Sequence, residues 1–156
     1  MPSSVAIHEA GHAIACLALG GWVESVTIEP TAEAAGMTTT WMPNSRARAV
    51  VTAAGPVAEA VIAEENRWWR FASRSDIDNL YKYARETGAG NDEDAVALFI
   101  HAAGRRAIAL LGERKIWQKV EGLAKWLECE RTLRFRPPPD HGSQRTPSGG
   151  SVPKVR

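Results

Sequence analysis

Near the start of the chain, the run VAIHEAGHAIACLALG (residues 5–20) places His8 and His12 four positions apart, with Glu9 between them. On a helix both imidazoles leave the same face about one turn apart, a spacing at which two histidines can bind one metal ion. Glu9 flanks that face. In an H-E-x-x-H arrangement the glutamate is not a ligand but the base that takes a proton from a water made acidic by the metal. The apolar surroundings favour a metal site over a chance pair, because unpaired polar groups inside an Ala/Ile/Leu helix are costly. Gly11 sacrifices roughly 1 kcal/mol of helix propensity relative to alanine. Having no side chain, it lets another segment approach beside the metal.

A catalytic zinc has three protein ligands and one open position for water, so a third ligand is needed. Cys16 lies four residues beyond His12, but a straight helix cannot wrap three consecutive turns around one ion, and a cysteine there reads as core. Asp76, in FASRSDIDNLYKYA, is the better candidate, a carboxylate at the start of a helix far along the sequence. The same place would suit an acid that only complements the helix dipole. Glu59 is a further possibility, as the third ligand, as a carboxylate that orients one, or equally as a plain surface or structural carboxylate of its helix. Tyr81 and Tyr83 follow Asp76 by one to two turns, where a hydroxyl could face the oxyanion of peptide attack, although packing is the commoner use of such tyrosines. His101, Trp117 and Trp126 read as helix packing or surface residues.

The elements that must position these groups are legible from periodicity. A first helix runs from about Ser4 to Leu19 and stops at Gly20-Gly21. Residues 22–29 and 36–41 have strand composition and are expected to pair. Ser45 is expected to cap a second helix reaching Glu65, which Gly55-Pro56 should kink or break. Ser75 is expected to cap a third, from Asp76 to about Glu86. Asn91 opens a fourth, with Asp92, Glu93 and Asp94 in its first turn, and a fifth runs from about Glu113 to Arg134. The expected fold class is α+β and predominantly helical: a histidine-bearing helix, a small β-sheet and a helical bundle. Residues 1–136 form one domain, and residues 137–156, opening Pro-Pro-Pro and rich in Gly and Ser, a disordered tail.

The 156 residues include 19 basic and 18 acidic side chains, 44% hydrophobic and 24% charged residues. This balance is that of a globular protein without a nucleic-acid footprint. No apolar run is long enough for a membrane span, and the expected address is cytoplasmic. Cys16 and Cys129 form no CxxC pair, and each is expected to be a buried free thiol.

Taken in order, HEAGHA, a strand ending VTIEP, GMTTTWMP, AAGPVAEAVI and SRSDIDNLYKYA resemble the peptidase domain of FtsH, the M41 metallopeptidases, over about residues 5–86. The resemblance implies zinc bound by His8, His12 and Asp76, Glu9 as catalytic base, and GMTTTWMP as an edge strand that an extended substrate can join. The chain departs from FtsH in having no G-x-x-x-x-G-K-[ST] phosphate loop. It also has Ala54-Gly55-Pro56 where the family has Gly-Gly-Arg, while Glu59 keeps the matching acidic position. The implied activity is ATP-independent, zinc-dependent endopeptidase cleavage of unfolded or flexible polypeptides, with a homo-oligomer or a separate ATPase as possible partners. The alternative is a catalytically silent metal-binding or regulatory module that uses the same fold to bind a partner.

Overall fold

The computed structural model describes residues 1–138. From residue 139 onward the expected disordered tail therefore lies outside the described residues. Helix α1 (Ser4–Ala18) begins where the Ser3 hydroxyl accepts a hydrogen bond from the Ala6 amide. Gly20, at φ +80°, turns the chain out of the helix, a conformation that glycine takes without steric penalty. Strand β1 (Trp22–Thr27) follows and pairs antiparallel with β2 (Met37–Trp41).

Helix α2 (Ser45–Ile62) is capped by Asn44 rather than by Ser45: the Asn44 side chain accepts from the Ala47 amide at 2.8 Å. It passes through Gly55-Pro56 as one helix, where a kink or a break was expected. A helix-interior proline costs about 3 kcal/mol, but residues 49–58 of α2 are buried without interruption, and that packing outweighs the lost backbone bond. The helix ends short of Glu65, and Val61 is exposed. A short 3₁₀ turn, Trp68–Phe71, buries Trp68.

Helix α3 (Arg74–Ala84) is capped by Ser73, not Ser75, through a reciprocal pair: Ser73 accepts from the Asp76 amide, and Asp76 accepts from the Ser73 amide. Asp76 thus sits on the third residue of the helix. A π-helical turn, Arg85–Ala89, leads on to α4 (Glu93–Leu111), whose cap is Asp92 rather than Asn91. Helix α5 (Arg114–Glu130) stops four residues earlier than expected. Arg131 takes a positive φ of 63°, and Thr132–Arg134 becomes β3 on the far side of β1. Leu133 fills the core there and the Thr27 and Thr132 hydroxyls bond at 2.7 Å.

The result is the expected α+β class, mostly helical with a small antiparallel sheet of order β2-β1-β3. Helix α1 is central: it packs on α2, on α5 and on the inner face of β1 and β2. Among the described residues no single helix is long and apolar enough to cross a membrane.

Candidate metal centre and cleft

Helix α1 presents His8 and His12 to α2 and α3. Their Nε2 atoms lie 2.9 Å apart, and the Asp76 carboxylate spans both, with Oδ2 3.3 Å from His8 Nε2 and Oδ1 3.4 Å from His12 Nε2. The three donors all lie within 4.8 Å of one another. Ligands arranged tetrahedrally at zinc distances of about 2.0–2.1 Å stand roughly 3.3 Å apart, so the donor set fits a small cation.

The remaining ring nitrogens are occupied in the way that frees Nε2. His12 Nδ1 donates to the Val51 carbonyl at 2.8 Å, and His8 Nδ1 meets Glu59 Oε1 at 2.6 Å. Such partners fix the tautomer and rotation of a metal-binding imidazole. Glu59, which sequence left open between ligand and orienting group, thus contacts the side of His8 facing away from the donor cluster. Gly55 has its own reason to be there, since a Cβ on it would land on the His12 ring.

The electrostatics favour positive charge at His8. Burial alone would lower the His8 pKa, but hydrogen bonds to Asp76 and Glu59, with the charges of Asp76 and Glu9, lift it to about 10. Burial would raise the Asp76 carboxyl, yet His12 and His8 hold it well below the usual carboxylate range.

Glu9 is buried beside this cluster. Its Oε2 accepts a hydrogen bond from the Thr38 hydroxyl of β2 at 2.6 Å. The loop before β2 closes on it so tightly that a Cβ on Gly36 would sit 2.9 Å from Glu9 Cγ and Oε1. Sequence reasoning did not single out Thr38 or Gly36. The available signal was period-two alternation, which puts Thr38 and Thr40 on the face of β2 turned toward α1.

These groups open into a cleft of about 700 Å³ between β2 and α3, with Glu9, His12, Thr38, Glu59 and Asp76 on its walls. Tyr83 also lines it, whereas Tyr81 does not and lies exposed beneath the Arg85 guanidinium. Cys16 points away from the cleft, its Sγ 3.4 Å from the Trp22 carbonyl, and burial pushes its thiol up to about 11. Cys129, expected to be buried, is exposed on α5, because its position falls on the outer face of that helix. His101 and Trp126 are exposed, and Trp117 packs partly against the core.

Residues 3–66 match the Peptidase M50B-like family. No curated protein matches the chain. The family match supports a metallopeptidase in general, and M50 is a different family from the M41 peptidases that the sequence motifs resemble. It covers α1, β1, β2 and α2, including His8, Glu9, His12 and Glu59, and ends before Asp76.

Proposed function

We propose that this chain is a zinc-dependent peptidase acting on extended polypeptide segments, with His8, His12 and Asp76 as metal ligands and Glu9 as the general base. The observation that carries the reading is the convergence of the three donors on one point, at the wall of a peptide-sized cleft, with a buried carboxylate beside them. Bound zinc would supply Lewis acidity, polarising the scissile carbonyl and lowering the pKa of the attacking water. Glu9 accepts the proton of that water and passes it to the leaving amine, so hydrolysis needs no covalent intermediate. Thr38 and Gly36 hold the Glu9 carboxylate in position, and Glu59 and the Val51 carbonyl hold the two imidazoles. Strand β2 lies at the edge of the sheet, so an extended substrate can add to it through main-chain hydrogen bonds.

The M41-like form of this reading rests on the SRSDIDNLYKYA motif and on the carboxylate that α3 brings to the histidines; the M50B-like match bears on the preceding half. The mechanism needs the helical histidine pair and its glutamate, which lie within the matched residues, and a metal. The silent-module alternative leaves unexplained why a buried Glu9 should be held by a threonine at 2.6 Å next to the histidines.

Glu9→Gln tests the assignment. The variant is expected to keep its zinc and to lose casein hydrolysis by about 10²–10⁴-fold. Equal turnover by the variant and its parent would remove Glu9 from the mechanism.

A further inference from the structure

Next to the cleft lies a second, smaller recess of about 140 Å³, walled by Thr40, Trp41, Arg48, Thr52 and Tyr83 over a floor of Met42 and Val51. It is continuous with the cleft, since Thr40, Val51, Thr52 and Tyr83 line both. It is also close to the proposed metal, because the Val51 carbonyl is the acceptor that holds His12. Thr38 meets Glu9, and Thr40 is two residues further along the same face of β2, about 7 Å away at strand spacing. A peptide paired along β2 with its scissile bond at Glu9 therefore directs a neighbouring side chain toward this recess.

The chemistry of the recess is set by Arg48. Its Nε donates to the Met42 carbonyl at 2.6 Å, and its guanidinium carbon stands 6.0 Å from the centre of the Tyr83 ring. Among the described residues Arg48 forms no ion pair. The carboxylate whose charge Tyr83 feels, Glu86, is engaged elsewhere: it accepts from the Ser45 hydroxyl at 2.6 Å and faces Lys82 at 3.9 Å. A half-buried guanidinium, anchored at one nitrogen and lacking a carboxylate, is suited to a bidentate anionic group.

Resting on the peptidase reading for its setting, we propose that this recess is a specificity subsite and that Arg48 there receives a peptide carboxylate. The carboxylate comes either from an Asp or Glu side chain beside the scissile bond or from the C-terminus of a short substrate.

The test uses zinc-loaded protein and fluorogenic peptides, amidated at the C-terminus and identical except for Glu, Gln or Lys at each position flanking one bond. A further Gln peptide carries a free C-terminal acid. The expected result is a preference in kcat/KM of roughly tenfold for Glu over Gln at one position, or for the free acid over the amide, with Lys disfavoured. Which of the two carboxylates is preferred identifies the source. Arg48→Gln should bring the ratio, read within the variant, close to one. A folded Arg48→Lys variant, verified by circular dichroism, should show a weaker preference than the parent, since it keeps the charge and loses the bidentate fork. Wild-type protein indifferent to the carboxylate at every position would overturn the proposal. So would a preference that survives Arg48→Gln. Failure to cleave casein or any of the peptides would count against the peptidase reading instead. The recess is then judged by fluorescence anisotropy of the same peptides on Glu9→Gln protein: tighter binding of the carboxylate peptides, lost on adding Arg48→Gln, supports the subsite, and equal binding overturns it.

Discussion

The two halves of the molecule are built on different packing rules. Where α1 meets α2, small residues bring the backbones together: a Cβ on Gly11 would lie 2.7 Å from the Ala54 carbonyl oxygen and 2.8 Å from Ala58 Cβ. Helix α5, on the other side of α1, carries Gly122, where an added Cβ would meet nothing within 4 Å, and its outward face exposes Trp126. The close contact is the one that brings Val51, Gly55 and Glu59 onto the histidines; α5 supports α1 from behind through the buried Val120, Ala124 and Leu127, while its Gly122 faces solvent. Tight helix packing here serves to aim imidazoles, and glycines mark it: Gly11 where α1 meets the α2 backbone, Gly55 where α2 meets the His12 ring.

That contrast can be broken by adding a single methyl group. Gly11→Ala is expected to destabilise the fold by about 1–3 kcal/mol, because the added carbon meets backbone that cannot yield cheaply. Urea unfolding followed by circular dichroism would show a lower midpoint, and an unchanged midpoint would mean that α1 and α2 are less tightly coupled than described.

A smaller effect, on rate rather than stability, is expected on the strand side of the site. Thr38→Val keeps the branched shape but removes the hydroxyl that holds Glu9. Turnover should fall roughly tenfold, as for loss of a hydrogen bond to a charged group, with zinc content unchanged. Steady-state kinetics beside metal analysis separates this from a structural loss, which would lower both.

The smallest effect belongs to the open helix. Gly122→Ala should raise stability by roughly 0.5–1 kcal/mol, since helix propensity improves and no neighbour is disturbed. A destabilised Gly122→Ala, measured by the same urea unfolding, would contradict the open, solvent-facing place given to Gly122.

Local periodicity makes the helices and the β1–β2 pair visible in the sequence, and four-residue spacing alone is enough to put His8 and His12 on one helical face. What escapes is decided by partners distant in sequence. β3 exists because Leu133 and Thr132 meet β1 more than a hundred residues back, and α2 survives Pro56 because its neighbours bury it. The Ser73 cap is a different kind of miss: Ser73 and Asp76 stand at capping-box spacing, a local signal that outweighs the serine directly before Asp76. Thr38 and Arg48 are invisible as site residues in the sequence because their roles arise only when β2 and α2 are folded against α1.

The central claim is that His8, His12 and Asp76 hold the ion while Glu59 orients His8. Competition with a zinc chelator, measured on the parent protein, Asp76→Asn and Glu59→Gln, tests it most directly. The account predicts about one zinc per parent chain, consistent with a three-ligand site. It predicts a loss of roughly 10–100-fold in affinity for Glu59→Gln, the usual cost of removing an orienting partner, and a larger loss for Asp76→Asn. A parent protein that holds no zinc, or an Asp76→Asn variant that retains it more tightly than Glu59→Gln, would contradict the account.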